Sequence, residues 1–385
     1  MALLDAEQRD IQAVARRFAA ERLAPGYMAR EASGRIDRDL VREMGALGLI
    51  GADLPEDCGG IGASSVTTGV VIEAVAHADI NVSYVQLLGS LNGQIVARHA
   101  APELAAHWIP RIVAGEALFA LALTEPRGGS DAANLAVAAR RDGGDYVLSG
   151  EKSSISMADQ ADAAVVFART GGPGARGVSA FLVPLDLPGI SRTRFNDLGS
   201  KAVGRGSIFF DDVRVPAAWR LAEEGQGFVQ VMQGFDYSRA LIGLQCCATA
   251  QASLDETWAY VTERQAFGAP IAQYQGVSFP IAEGEGMIAA VRQLCYHTLA
   301  LRDAGEAHTA EAAMCKWLGP KTAVDVIHQC LLTHGHYGWS LDMPHQQRLR
   351  DVMGLEIGDG TAQIMKMIVA RERAGRVSVQ HLNRG

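Results

Sequence analysis

The hydrophobic pattern of this chain changes period twice, and that double change constrains the fold more than any other feature. Up to about residue 118 the period is helical. In "IQAVARRFAA", Ile11, Val14, Ala15, Phe18 and Ala19 fall on one face at spacings of three and four. "LVREMGALGLIGADLPEDCGGIGAS" reads as a helix that closes in a Gly-rich loop. "VTTGVVIEAVAHADINVSYVQLLGSLNGQIVARHA" resumes a long helical region. It is apolar nearly all round, as a helix in the middle of a bundle would be. Near residue 118 the texture shifts to short apolar runs: "ALFALALTEP", "LAVAARRDGGDYVLSGE", "ADAAVVFART", "GVSAFLVPL" and "GSIFFDDVRVP". Gly, Pro and Asp turns separate them at the spacing of a small all-β domain. "RRDGGDY" supplies the backbone angles of a tight hairpin. From about Gly225 the helical period returns. "FVQVMQGFDYSRALIGLQCCATAQASLDETWAYVTERQAF" reads as one long amphipathic stretch, and "AQIMKMIVARERA" is the last of the helices that follow. The expected class is α+β in three domains: helical over 1–118, β over 119–224 and helical over 225–385.

Composition agrees with that size. The 385 residues are 48% hydrophobic and 20% charged, enough chain for two or three domains. Formal net charge is -8 with no long run of one sign, which argues against a nucleic-acid or anionic-membrane partner. The start "MALLDAEQRDIQAVARRF" lacks the basic end and apolar core of a secretory signal, and no apolar run approaches bilayer length. The expected location is cytoplasmic, without a membrane. Cys58, Cys246, Cys247, Cys295, Cys315 and Cys330 show no CxxC pairing, which fits buried, reduced thiols rather than a metal site or disulfide framework.

Five stretches can carry chemistry. In "LALTEPRGGSD" (121–131), backbone N–H groups with Thr124 and Ser130 can hold a polar cofactor edge, or simply make a β-turn. In "GEKSSISMADQADAAVVFA" (150–168), alternation places Ser154 and Ser156 on one face, toward a flat ligand or toward water. In "ERQAFGAPIAQYQ" (263–275), Arg264 is a phosphate fork or a solvated helix end. "THGHYGW" (333–339) holds His334 and His336, with His328 earlier; no third ligand at sensible spacing accompanies them, so no metal is expected. "LEIGDGTAQI" (355–364) sets Asp359 in a turn where Asp-Gly is common for backbone reasons alone.

Each stretch is ordinary alone, but their order is not. "LPEDCGGIG", "LALTEPRGGSD", "GEKSSIS", "FDDVRVP", "FDYSRA", "ERQAFGAPIAQYQ" and "RLRDVMGLEIGDGTAQI" follow one another as in the acyl-CoA dehydrogenase family, which the chain resembles from about residue 5 to 373. The resemblance implies an N-terminal helical domain, a central β-barrel-like domain and a C-terminal four-helix bundle. It implies bound FAD, a homotetramer built as a dimer of dimers, an acyl-CoA substrate and an electron-transfer flavoprotein as acceptor. It places Leu121, Leu123, Thr124, Gly129, Ser130, Ser154, Ser156, Arg264, Phe267, Gln275, Gly335, Thr361 and Gln363 at the cofactor. Arg264, Phe267 and Gln275 would serve the FAD of the neighbouring subunit, and Thr361 to Gln363 its pyrophosphate. Ser130, Asp236, Arg239 and Gly360 match substrate contacts.

The family carries Glu as catalytic base where this chain has Asp359. A carboxylate keeps the chemistry available, but its oxygens withdraw by about 1.3 Å. A displacement of about 1 Å can cost on the order of 100-fold in rate, so the pocket must bring the α-carbon closer or take a differently shaped acyl group. The same exchange occurs in the dehydrogenases of cyclohexane-1-carboxyl-CoA and cyclohexene-carboxyl-CoA, and the C-terminal third of this chain looks most like that branch. A second branch places its base where this chain has Ser238, which cannot serve. Two further departures stand out: Ser154 replaces the usual Trp beside the flavin, and "LTHGH" (332–336) puts Leu332 and His336 where a Gln and a Gly are usual. Three other readings stay open: 1,4-dehydrogenation of a cyclohexene thioester, oxidation of a branched, short-chain or carrier-bound acyl group, and a non-enzymatic, nucleic-acid-associated relative. The net charge of -8 speaks against the last.

Overall fold

A computed structural model describes residues 4–378; the outermost residues of the first and third expected domains lie outside the described part. Six helices come first: α1 (Ala6–Phe18), α2 (Tyr27–Ser33), α3 (Arg38–Ala46), α4 (Ser65–Ala78), α5 (Ile80–His99) and α6 (Pro102–Val113). The long apolar helical region of residues 66–100 consists of α4 and α5. Asp79 separates them, because its carboxylate caps α5 by accepting from the Asn81 and Val82 N–H groups at 2.8 and 3.2 Å. Arg30 of α2 pairs with the same carboxylate at 2.6 Å. The signal was present in "HADIN", an Asp ahead of an apolar run.

Eight strands follow: β1 (Phe119–Ala122), β2 (Ala138–Asp142), β3 (Asp145–Ile155), β4 (Ala163–Arg169), β5 (Val178–Pro184), β6 (Ile190–Arg194), β7 (Gly206–Pro216) and β8 (Arg220–Leu221). They form one sheet in the order β6-β7-β3-β2-β4-β5-β8, with β1 parallel to β4. The β2–β3 hairpin turns through Gly143 and Gly144 with Asp142 opposite Asp145, as "RRDGGDY" requires. β4 and β5 bury almost every residue, so apolar side chains line both of their faces.

The last part holds α7 (Gly227–Glu263), the small hairpin β9 (Gln265–Ala266) and β10 (Ala269–Pro270), then α8 (Gln275–Asp303), α9 (Thr309–Thr333), α10 (Pro344–Met353) and α11 (Ala362–Ala374). α7 differs from the amphipathic expectation. Its middle, from Tyr237 to Ala250, is buried on every side, because α4, α5, α8, α9 and α10 all pack against it. Gly243 of α7 and Gly319 of α9 face each other where these two helices cross. A Cβ on Gly319 would lie 2.7 Å from the Gly243 Cα, so neither position has room for a side chain. One apolar core runs through all three parts.

Candidate active site

Asp359 sits where the chain turns from α10 into α11. α10 runs into a single 3-10 turn, Gly354–Glu356, which Ile357 and Gly358 close by donating their N–H groups to the Gly354 carbonyl at 3.2 and 3.0 Å. Asp359 and Gly360 then both take positive φ, +54° and +108°. Asp tolerates this region better than most residues, and Gly occupies it freely. Thr361 caps α11 by accepting from the Ile364 N–H. The Asp359 carboxylate therefore projects from a fixed turn. Part of its surface is open, although protein surrounds it on most sides. Among the described residues no donor reaches it. Burial raises its pKa above the ordinary carboxylate range, while Lys316 and then Arg239 pull it back. From α5 the buried Tyr84 faces the same space; burial and then the Asp359 charge push its hydroxyl pKa up.

Arg239 is almost fully buried on α7. It pairs with Asp236 at 3.1 Å and lies over the Phe235 ring at 5.5 Å. Its Nε is buried without a partner among the described residues. Asp236 also accepts from the Thr309 hydroxyl at 2.7 Å. Ser238 is wholly buried and turns its hydroxyl back toward the Phe235 carbonyl at 3.5 Å. It offers no carboxylate; the Asp236 carboxylate is already engaged by Arg239 and Thr309, whereas Asp359 has no donor among the described residues.

The two β-domain stretches meet. The Ser153 N–H donates to the Thr124 carbonyl at 2.8 Å, which sets the 121–130 loop beside the end of β3. Strict alternation fails at this point. Ser154 has φ +61° and the β3–β7 register slips between Lys152 and Ile155, so Ser154 and Ser156 are not neighbours on one pleat face. Ser154 is exposed and accepts from Arg205 at 3.0 Å. The hydroxyls of Thr124, Ser130 and Ser156 have no partner among the described residues. Leu121 is half-buried, Leu123 is buried, and Gly129 is exposed at a point where a Cβ would lie 3.3 Å from the Thr124 side chain. Unpaired hydroxyls over an apolar floor suit a flat ring with a polar edge. The free N–H groups at the start of α11, where Gln363 is exposed, suit an anion.

Arg264, Phe267 and Gln275 lie together elsewhere. Arg264 ends α7, Gln275 opens α8, and Phe267 is 98% exposed at the tip of the β9–β10 hairpin with φ +54°. Gly335 turns with φ +60° after α9, beside exposed Leu332 and His336. His334 is buried instead, stacked on Tyr260 at 4.3 Å and beside His345 at 4.3 Å. Among the described residues no cluster of metal-ligating side chains occurs. This lobe makes no hydrogen bond to the Asp359 turn among those residues.

Sequence reasoning missed four residues around the site: Lys152, Glu125, Asp351 and Lys316. Lys152 is fully buried and donates to Glu125 at 2.7 Å and to the Leu123 carbonyl at 2.9 Å. Glu125 also accepts from the Ala136 and Val137 N–H groups at 2.6 and 2.9 Å, so the pair pins both ends of the 123–137 loop. Burial lowers the Lys152 pKa to about 8 despite Glu125. Asp351 accepts from Tyr27 at 2.7 Å and Asn81 at 2.9 Å, and also from the Ser200 N–H. Lys316 donates to the Leu355 and Gly360 carbonyls. One signal was available: Lys316 is the lone charge in the apolar helical run "AAMCKWLGP".

Comparison with known proteins adds three matches along the chain. The N-terminal, middle and C-terminal domain models of the acyl-CoA dehydrogenases match residues 5–116, 120–213 and 225–373. The chain is 33% identical over 361 residues to the mitochondrial short-chain specific acyl-CoA dehydrogenase of Bos taurus, covering 92% of this chain and 87% of that one. It is 32% identical over 368 residues to the cyclohexane-1-carbonyl-CoA dehydrogenase of Geobacter metallireducens, covering 95% and 97%. A solved glutaryl-CoA dehydrogenase of Mycobacterium smegmatis in complex with FADH2 superimposes with a TM-score of 0.92 at 28% identity, covering 97% and 96%.

Proposed function

The chain belongs to the acyl-CoA dehydrogenase family, FAD-dependent oxidoreductases acting on the CH–CH bond of acyl-CoA, and from that premise we propose that it converts cyclohexane-1-carboxyl-CoA to cyclohex-1-ene-1-carboxyl-CoA with Asp359 as base. The observation that carries this reading is a carboxylate on a fixed turn with no donor bound to it and two buried cations acting on it. Such a group is free to take a proton. Asp359 removes the α-proton of the thioester. FAD, when bound, supplies the acceptor for the β-hydrogen, which leaves as hydride, so the two carbons close a double bond. Arg239, already committed to Asp236, and Lys316 supply the positive field that favours the ionised, proton-accepting form of Asp359.

The shorter base supports the ring. A tertiary α-carbon held in a six-membered ring places substituents where the missing methylene of Glu would have stood. The relative named for the cyclohexane thioester supports this branch at 32% identity. The short-chain relative at 33% supports the second reading, a short or branched acyl group.

The cofactor assignment uses the residues present. Leu121, Leu123, Thr124, Gly129, Ser130, Ser154 and Ser156 would face the ring system, and Thr361 with Gln363 the pyrophosphate. Ser130, Asp236, Arg239 and Gly360 would contact the thioester. Arg264, Phe267 and Gln275 would reach the cofactor of a neighbouring subunit in a homotetramer, and Gly335 would also contact the cofactor. Exposed Phe267, Trp339 at 84% and Leu341 at 75% are the kind of apolar surface that another subunit covers. The organisation is read as three domains, 1–118, 119–224 and 225–385. An electron-transfer flavoprotein is the proposed acceptor. No helix among the described residues is long and apolar enough to cross a membrane. All six cysteines are unpaired, in keeping with a cytoplasmic setting.

The test is anaerobic flavin bleaching with cyclohexane-carboxyl, cyclohexene-carboxyl, isobutyryl, butyryl and octanoyl thioesters. Fast bleaching by the saturated ring alone is expected. Fast bleaching by butyryl or isobutyryl thioester instead would replace the ring reading with the second one.

A further inference from the structure

We propose that Lys316 is a positioning residue for the reaction: its ammonium clamps both ends of the turn that carries Asp359 and supplies the counter-charge of that carboxylate. The inference rests on Asp359 being the base.

The geometry begins at the Gly243–Gly319 crossing, which draws α9 against α7 without side chains between them. Lys316 lies one turn before Gly319 and is 1% exposed. A buried lysine normally meets a carboxylate. Lys316 has none in contact among the described residues. Its donors go to the Leu355 carbonyl and, at 3.2 Å, to the Gly360 carbonyl. Those two groups bracket Asp359: one lies in the 3-10 turn before it, the other directly after it. A single ammonium thus ties together the two ends of a segment that holds two consecutive positive-φ residues. Such a segment keeps its shape only when its surroundings over-determine it.

The charge role follows from the same placement, because the Gly360 carbonyl that Lys316 holds belongs to the residue next to Asp359. The groups facing Asp359 are Lys316 from α9, Arg239 from α7 and the Tyr84 hydroxyl from α5. Arg239 is already compensated by Asp236 at 3.1 Å. Around Lys316 stand Asp359, the Cys246 thiol of α7, Arg239 and Glu356. Burial pushes the Cys246 thiol to about 12, so it is neutral and offers no charge. Lys316 exerts the largest pull of any charge on Asp359, and Asp359 returns the largest pull on Lys316. A buried cation without its own acid and a half-buried acid without a donor therefore compensate each other across the turn backbone.

The experiment separates clamp from charge in the FAD-loaded enzyme. Lys316→Gln keeps donors and loses the charge; Lys316→Arg keeps the charge. The acidic limb of the pH–rate profile for flavin bleaching reports the ionisation of the base. In Lys316→Gln that limb is expected to move up by about one unit, the size of effect a near opposite charge produces. In Lys316→Arg it is expected to stay in place while the plateau rate falls. A Lys316→Gln holoenzyme with the wild-type limb would overturn the proposal. Loss of folded holoenzyme in both variants would also overturn it, because Lys316 would then serve the fold alone. Asp359→Asn, run beside them, separates the two readings. Retained bleaching in Asp359→Asn removes the base itself, whereas a dead Asp359→Asn with an unmoved Lys316→Gln limb removes only the role of Lys316.

Discussion

Asp351 and Asp359 stand eight residues apart on the same stretch of chain, both surrounded by protein, and they are used in opposite ways. Asp351 is saturated. Tyr27 of α2, Asn81 of α5 and the Ser200 N–H of the β domain all donate to it, so one carboxylate joins elements from all three parts of the molecule. Asp359 receives nothing among the described residues, and two cations act on it without touching it. The difference teaches how to separate a structural acid from a chemical one. Burial raises the pKa of both, to about 6 for Asp351. What distinguishes them is whether the oxygens are already occupied.

The largest effect that would sharpen this contrast is on Asp351. Asp351→Ala strands a hydroxyl, an amide and a backbone N–H, at about 1–3 kcal/mol for each buried group left unsatisfied. We expect a loss of roughly 3 kcal/mol or more at pH 5, read as a lower thermal midpoint with FAD release. The midpoint should fall far more than in Asp359→Asn; equal losses would erase the distinction. The pH dependence gives a second reading of the same site. The folded pKa of Asp351 is raised, so its contribution is fully present below the ordinary value near 3.9 and is lost as pH rises through about 6. Relative to Asp351→Asn, the wild type should lose up to about 3 kcal/mol between pH 4 and 7.5. A constant difference across that range would show that Asp351 stays ionised throughout.

The next effect concerns the length of the base. Asp359→Glu returns the missing methylene and advances the oxygens by about 1.3 Å. Bleaching by the cyclohexane thioester should slow by roughly 10- to 100-fold, while butyryl thioester holds or improves. An unchanged ratio of the two rates would detach base length from substrate shape. The smallest effect lies in the exposed lobe. Arg264 is exposed and its side chain makes no hydrogen bond or ion pair among the described residues, so subunit stability should hardly change in Arg264→Ala. FAD content per subunit and the oligomer should nevertheless fall together on size-exclusion chromatography. A tetramer with full FAD would make Arg264 a solvated helix end.

The fold could be read from the chain because its hydrophobic period changes at the junctions between helices and strands, and period is local information. The Asp359 turn and the Thr124 and Ser154 loops were visible for the same reason: Gly, Asp and small hydroxyl residues mark turns wherever they occur. What escaped is long-range. Nothing near Asp351 in "RLRDVMGLEIGDGTAQI" says that Tyr27 and Asn81 will meet it from 324 and 270 residues away. Lys152 and Glu125 look like surface charges until the fold buries them against each other. The α7 stretch reads as amphipathic because polar residues such as Gln245 and Thr249 interrupt its apolar run. They are buried, and they bond Ser83 at 2.7 Å and the Gln245 carbonyl at 2.8 Å. A polar residue inside a bundle reads as a surface residue until its partner is known.

The most direct measurement is anaerobic flavin bleaching of Asp359→Asn by the thioester that reduces the wild type fastest. The amide cannot take a proton, and general-base catalysis contributes on the order of 100- to 10,000-fold. The variant is expected to keep its FAD, its oligomer and its thermal midpoint while the flavin absorbance persists. Bleaching at a rate near that of the wild type would contradict the account, because the proton would then be leaving through some other group.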